Sequence, residues 1–185
     1  MKKKDWLNLP NALTAVRILL VPALLIIFFK TRHLGTTVQL CLILVAGLTD
    51  CLDGFFARKY GCVTDVGKVL DPIADKLMTA AVVLCLAWMG VIGWYVLAIV
   101  AVKEAYMGVG AALCLKNKIE VASDIYGKAA TVIFYPAVLL AWPWHGQPVL
   151  AEIGRILMYI SVALSLLAAV HYTLESLKRL RARST

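Results

Sequence analysis

Long apolar runs separated by short polar loops dominate the 185-residue chain. A transmembrane helix needs about 20 mostly apolar residues, and the sequence contains six runs of about that length. None of them alternates between apolar and polar residues, as membrane β-strands do. The pattern predicts an all-α polytopic membrane protein with six transmembrane helices, at residues 11–29, 37–57, 68–89, 91–115, 125–143 and 150–174.

The segment before the first span, residues 1–10, combines three consecutive lysines with Trp6 and two leucines. Such a mixture of basic and apolar residues is typical of a short segment that lies at the membrane interface. No repeat, low-complexity tract or long linker interrupts the rest of the chain. We therefore expect one membrane domain over residues 1–185.

The composition narrows the class of protein further. Hydrophobic residues make up 62% of the chain and charged residues 16%, against about 45–50% and about 25% in a typical soluble domain. These values exclude a disordered chain, a coiled coil and a nucleic-acid-binding module built on a soluble core. We expect the lipid bilayer as a partner and no nucleic acid.

Basic residues are unevenly distributed among the loops. They concentrate at both termini and in the loops after the second and fourth spans, whereas the loops after the third and fifth spans have none. Lys30 and Arg32, after the first span, are a mild exception. Because cytoplasmic loops carry an excess of Lys and Arg, the pattern predicts that both termini and the loop between spans two and three face the cytoplasm, in the plasma membrane.

Five of the 11 acidic residues lie between positions 50 and 75. Acid at membrane depth is costly and indicates a functional site. Asp50 and Asp53 share one face of the second helix, and Asp71 and Asp75 share one face of the third. Because a short loop makes these helices antiparallel neighbours, their acidic faces can meet near the cytoplasmic surface. Asp65, in the loop, is expected to cap the third helix.

Isolated acids at helix ends are commonly solvated caps or members of salt bridges, but four carboxylates brought together need cations. Oxygen ligands suit Mg²⁺ or Mn²⁺, and four carboxylates suit a site with two such ions, which can clamp a diphosphate. Small residues open a notch beside the acids, and Arg58 can bind phosphate oxygens. The notch consists of Gly54 and Ala57, and Gly67 removes a side chain near Asp71.

This stretch resembles the signature of the CDP-alcohol phosphatidyltransferase family, D-x2-D-G-x2-A-R-x8-G-x3-D-x3-D. The family's six-helix architecture is also similar to the predicted one, so the resemblance covers nearly the whole chain. All eight fixed positions match at the family's spacing: Asp50, Asp53, Gly54, Ala57, Arg58, Gly67, Asp71 and Asp75.

The resemblance implies an enzyme in which an alcohol displaces CMP from a CDP-linked lipid. It implies that Asp50, Asp53 and Asp71 bind metal, and that Asp75 completes the metal site and acts as general base on the incoming hydroxyl. Members of the family are often homodimers, so a homodimer is expected here. Contacts to the CDP-lipid would fall on Gly54, Ala57, Arg58 and Gly67.

Three basic residues bear on the acceptor alcohol. Residues 8–17 read N-L-P-N-A-L-T-A-V-R and resemble the branch of the family that uses glycerol 3-phosphate; Arg17 can snorkel to the interface or contact phosphate. Lys128 matches a basic position of that branch, whereas Ala130 stands where a second lysine is usual. Lys103 stands where an arginine is usual. The resemblance implies that Lys103 and Lys128 bind the acceptor phosphate. Alternatively, Lys103 pairs with an acid such as its neighbour Glu104, and Lys128 is an interfacial anchor.

The expected reaction joins CDP-diacylglycerol to sn-glycerol 3-phosphate, with two Mg²⁺ or Mn²⁺ ions per site, and releases phosphatidylglycerol phosphate and CMP. The same transfer to phosphatidylglycerol or an inositol phosphate is an alternative. A cation transporter that uses the intramembrane aspartates is an alternative of another class. Transporter sites usually lie near the midplane at broken helices, whereas these acids are expected at the cytoplasmic end.

Overall fold

The computed structural model describes residues 9–31, 36–60, 65–116, 125–143 and 146–184. Within these ranges the secondary structure is entirely helical, which confirms the all-α prediction. The expected interfacial segment lies outside the described residues, except for its last two, which begin the first helix. The six helices are α1 Leu9–Lys30, α2 Thr37–Tyr60, α3 Asp65–Trp88, α4 Trp94–Lys116, α5 Ile125–Ala141 and α6 Pro148–Ser184.

Five of the six helices extend beyond their predicted bounds, most of them by one to three residues, and α6 extends furthest. α6 continues to Ser184 rather than residue 174, because its C-terminal sequence is rich in Leu, Lys and Arg, which are good helix formers. α3 begins at Asp65, a residue expected in the loop and three positions before the predicted start of the helix, and Pro72 is its eighth residue. Membrane helices tolerate an internal proline because neighbouring groups satisfy the freed backbone carbonyl.

One part of the described chain is long and apolar enough to cross a membrane, the Pro148–Arg179 part of α6. Shorter apolar stretches occur at Thr37–Thr49 in α2 and over the whole of α5. The six spans expected from the sequence stay a prediction.

The helices fall into two compact units, α1–α3 and α4–α6. In the first unit α1 packs against both α2 and α3. Gln39, near the start of α2, donates a hydrogen bond from Nε2 to Oγ1 of Thr31 at 2.9 Å, which ties the end of α1 to the start of α2. These two helices are therefore antiparallel.

α1 and α3 run parallel. Arg17 contacts Asp75, and twelve residues further along α1 the ring of Phe29 packs edge-to-face on Trp88, with centroids 5.6 Å apart. Both contacts join residues at nearly the same separation in sequence, as only parallel helices allow. α2, antiparallel to α1, is consequently antiparallel to α3, which it also contacts.

In the second unit, α5 and α6 form an antiparallel pair. The Ser161 hydroxyl donates to the backbone carbonyl of Ala130 at 2.8 Å, and near the start of α5 the ring of Tyr126 lies 5.9 Å from that of His171. At the other end of α5, Gly154 of α6 lies against the backbone of Ala141. Later positions of α5 therefore lie beside earlier positions of α6.

α4 runs parallel to α6. Three contacts follow one another in the same order along both helices: Tyr95 with Tyr159, Tyr106 with Thr173, and Cys114 with Ser176. Within each unit, successive helices therefore alternate in direction. This alternation is what a chain that crosses a bilayer repeatedly requires.

Candidate active site

The four candidate metal-binding aspartates occupy matched levels on α2 and α3. Asp50 lies ten residues before the end of α2 and Asp75 ten residues after the start of α3; the corresponding counts are seven for Asp53 and six for Asp71. At 1.5 Å per residue, the two levels lie about 15 Å and about 10 Å from the helix ends. Because the helices are antiparallel, Asp50 is level with Asp75, and Asp53 with Asp71.

Of these four aspartates, only Asp75 has a described side chain. The side chains of the other three lie outside the described part of the structure, and so do those of the candidate CDP-lipid residues. Among the side chains that are described, no group of three His, Cys, Asp or Glu could hold a metal ion. The metal-ligand set therefore stays a prediction. The residues concerned are Asp50, Asp53, Gly54, Ala57, Arg58, Gly67 and Asp71.

The Arg17 side chain makes a contact that the sequence did not predict. Its Nη1 donates a hydrogen bond to Oδ1 of Asp75 at 2.5 Å. The Arg17 side chain is only 1% exposed, whereas that of Asp75 is 47% exposed. The guanidinium is therefore buried in an ion pair instead of snorkelling to the interface. A contact with an acceptor phosphate stays a prediction.

The positions of Arg17 and Asp75 in the sequence are consistent with this contact once the directions of α1 and α3 are known. Arg17 lies thirteen residues before the end of α1, and Asp75 lies thirteen residues before the end of α3. In parallel neighbouring helices such residues lie at the same level. The parallel packing of α1 and α3 cannot be read from the sequence. Without it, the two positions are simply 58 residues apart.

The aromatic pair at the ends of α1 and α3 gives a scale for depth. Phe29 and Trp88 lie twelve and thirteen residues beyond the ion pair, or about 18–20 Å along the helices. This separation is more than half the thickness of a hydrocarbon core, which is about 30 Å.

Lys103 forms an ion pair with the adjacent Glu104, one of the two alternatives that the sequence left open. Side chains at adjacent helix positions do not normally face each other, so this contact depends on the length of both side chains. Lys103 also lines a groove of about 860 Å³ between α4 and α6, whose other polar side chains are Tyr106 and Thr173. A contact of Lys103 with phosphate stays a prediction.

The residues early in α5 differ sharply in exposure. Lys128 is exposed, which suits either an interfacial anchor or a phosphate contact. Ala130 is only 5% exposed, and its carbonyl accepts the hydrogen bond from Ser161 of α6. A lysine side chain at this position would therefore have to fit into a buried part of the α5–α6 pair.

Comparison with known proteins finds a matching family model and several relatives. A family model described as CDP-alcohol phosphatidyltransferase matches residues 7–167. A protein of Aquifex aeolicus named CDP-diacylglycerol--glycerol-3-phosphate 3-phosphatidyltransferase is 30% identical over 176 residues, which are 93% of this chain and 97% of that protein. A Bacillus subtilis protein of the same name is 31% identical over 188 aligned positions, with 91% of each chain covered.

A third relative is more similar over a shorter stretch. A Rickettsia typhi protein with the same name is 43% identical over 79 residues, which are 43% of this chain and 44% of that protein. The chain thus matches less than half the length of this relative. The similarity across the whole domain rests on the Aquifex and Bacillus proteins.

Proposed function

The chain belongs to the CDP-alcohol phosphatidyltransferase family, and on this basis we propose that it transfers the phosphatidyl group of CDP-diacylglycerol to glycerol 3-phosphate. The products would be phosphatidylglycerol phosphate and CMP. The names of the relatives that match over most of the chain support this choice of donor and acceptor.

The observation that carries the proposal is that the four aspartates lie in two pairs at matched levels of α2 and α3. Each of the two levels has one aspartate of α2 and one of α3, and the spacing of these residues on their helices predicts that the four carboxylates face one another. The residues fit two Mg²⁺ or Mn²⁺ ions, because carboxylate oxygens are the ligands that these hard cations take. Asp50, Asp53, Asp71 and Asp75 would hold them. When bound, such ions neutralise the diphosphate and the departing CMP.

Besides binding metal, Asp75 would act as the general base. Its half-exposed carboxylate would accept the proton of the acceptor hydroxyl as that oxygen forms a bond to the phosphorus attached to diacylglycerol. The bond from the same phosphorus to the CMP oxygen breaks, and CMP leaves with that electron pair. Positioning and charge stabilisation supply most of the rate in reactions of this kind.

The remaining site residues follow the family pattern. Gly54, Ala57, Arg58 and Gly67 would bind the CDP-lipid. The small residues Gly54 and Ala57 would let the nucleotide approach the α2 backbone, and Arg58 would donate hydrogen bonds to phosphate oxygens. Lys103 and Lys128 would contribute positive charge for the acceptor phosphate. A lysine at position 103 offers a point charge in place of the two-pronged contact that arginine makes.

The proposal includes the setting of the enzyme. We place all six helices across the plasma membrane, with both termini and the aspartates towards the cytoplasm, as the basic loops indicate. Two copies would form a homodimer. Cross-linking of the purified protein in lipid nanodiscs, followed by mass determination, tests the dimer; a monomeric mass under conditions of full activity contradicts it.

The transfer reaction is tested by CMP release. Purified protein is incubated with CDP-diacylglycerol, Mn²⁺ or Mg²⁺, and either glycerol 3-phosphate, inositol phosphate, phosphatidylglycerol or serine. We expect CMP only with glycerol 3-phosphate, and loss of activity in Asp75→Asn. The matched control is Glu152→Gln, which removes an exposed carboxylate paired with Arg155 and leaves activity unchanged.

The outcomes separate the chemistry from the choice of acceptor. CMP release with another alcohol alone would keep the chemistry and replace the acceptor. No CMP with any alcohol, or full activity in Asp75→Asn, would contradict the proposed transfer mechanism.

A further inference from the structure

We propose that Arg17 is a positioning residue: it holds one carboxylate oxygen of Asp75, so that this side chain meets the metal and the acceptor hydroxyl in a fixed orientation. The inference rests on the proposed function, because it takes the role of Asp75 from there. The direct evidence is the hydrogen bond from Nη1 of Arg17 to Oδ1 of Asp75 at 2.5 Å.

The two partners differ in burial, and this difference indicates which side chain restrains the other. Arg17 is among the largest fully buried side chains of the described chain, and Thr14, one helical turn earlier, is also fully buried. Packing on all sides removes the rotamer freedom that an arginine normally has. Asp75, about half exposed, lies in more open surroundings than Arg17. The buried partner therefore constrains the accessible one.

The contact is also an expensive way to hold α1 against α3. Removing a guanidinium from water carries a desolvation penalty that ion pairing often fails to recover, and apolar residues of similar volume are frequently more stabilising. The same two helices also make a contact of the apolar kind further along, between Phe29 and Trp88. A buried arginine aimed at the candidate base is therefore better explained by its effect on Asp75 than by its effect on stability.

This role differs measurably from a direct contact with the acceptor phosphate. A residue that binds the phosphate of glycerol 3-phosphate affects mainly the KM for that substrate. A residue that orients a metal-binding carboxylate affects metal affinity and kcat, typically by 10- to 100-fold. The KM for the acceptor then changes little. The two roles also differ without any substrate present, because only the positioning role changes metal binding.

The experiment compares Arg17→Gln and Arg17→Lys with the full-length protein in nanodiscs. Mn²⁺ binding is followed by electron paramagnetic resonance without substrates, and kcat and KM for glycerol 3-phosphate are measured in parallel. We expect Arg17→Gln to weaken Mn²⁺ binding and lower kcat, each by roughly 10- to 100-fold, with KM unchanged. Arg17→Lys keeps the charge and should recover part of both. The matched control is Arg155→Gln, which removes an exposed, paired arginine and should change neither.

Two results would overturn the positioning role. One is an increased KM with Mn²⁺ binding unchanged, which indicates a phosphate contact. The other is a folded Arg17→Gln protein with wild-type Mn²⁺ binding and kcat.

A double-mutant comparison decides the case if Arg17→Gln does not fold. Arg17→Lys should weaken Mn²⁺ binding in the wild-type background and have no further effect beside Asp75→Asn, because contacting residues that act together are not additive. Equal effects in both backgrounds contradict the proposal. If the wild-type protein released no CMP with any acceptor, the proposed function would fail, whereas the Mn²⁺ measurements would still test the link between Arg17 and Asp75.

Discussion

Gly154 of α6 lies directly against the backbone of Ala141 at the end of α5. A Cβ atom added to Gly154 would approach the backbone nitrogen of Ala141 to 2.2 Å, a distance that no rotamer change relieves. We therefore expect Gly154→Ala to force the two helices apart and to destabilise the protein by about 1–3 kcal/mol, the usual effect of overpacking. The midpoint of thermal unfolding in detergent measures the change.

Gly127→Ala is the matched control on the same pair of helices. Its added Cβ would lie 3.8 Å from the Cβ of Ala168, an ordinary contact, and alanine has the higher helix propensity. We expect its unfolding midpoint to stay the same or rise slightly. Equal losses in the two variants would mean that Gly154 has no special packing role.

Ala130 provides a second test of the α5–α6 contact. Because it is buried at 5% exposure, Ala130→Lys would force an ammonium group into the helix contact and weaken the hydrogen bond that its carbonyl accepts from Ser161. We expect a loss of roughly 2–5 kcal/mol, since an unpaired buried charge carries a penalty of that order. Thermal unfolding again gives the measurement.

Its control is Ala129→Lys, at the preceding, partly exposed position. A lysine there can extend its amine away from the contact, so a smaller loss is expected. If Ala130→Lys were as stable as Ala129→Lys, burial would not explain the absence of the second family lysine.

Metal removal should affect both activity and stability. Four neighbouring carboxylates can all stay ionised only when cations compensate their charges. We expect chelation by EDTA to abolish CMP release, and added Mn²⁺ to restore it. The unfolding midpoint should also rise with Mn²⁺ concentration, because a ligand that binds only the folded state stabilises it.

The stability readout has its own control. Asp75→Asn should reduce the Mn²⁺-dependent rise in the unfolding midpoint, whereas Glu152→Gln should retain it. Turnover that persists after exhaustive chelation would contradict a metal-dependent transfer.

Sequence alone identified most of the architecture, because the apolar runs and the loops between them determine where helices can form. It also predicts a metal site at the four aspartates from their spacing on the helix faces, and that site stays a prediction. It could not assign Arg17 to Asp75, since the choice between snorkelling, phosphate and an ion pair depends on how α1 packs. Nor could it explain Ala130, whose burial depends on the register between α5 and α6. Both unknowns concern contacts between helices, which no local pattern encodes.

The direction of the chain through the membrane gives the last prediction. In a cysteine-free background, Gln147→Cys places a thiol in the exposed connection between α5 and α6, and Thr185→Cys places one at the C-terminus. The basic residues near the C-terminus predict that this end is cytoplasmic. A membrane-impermeant maleimide should therefore label position 147 in intact cells and position 185 only after permeabilisation. Labelling of position 185 but not of position 147 in intact cells would mean that the aspartates face away from the cytoplasm. Labelling of both positions in intact cells would mean that α6 does not cross the membrane between them.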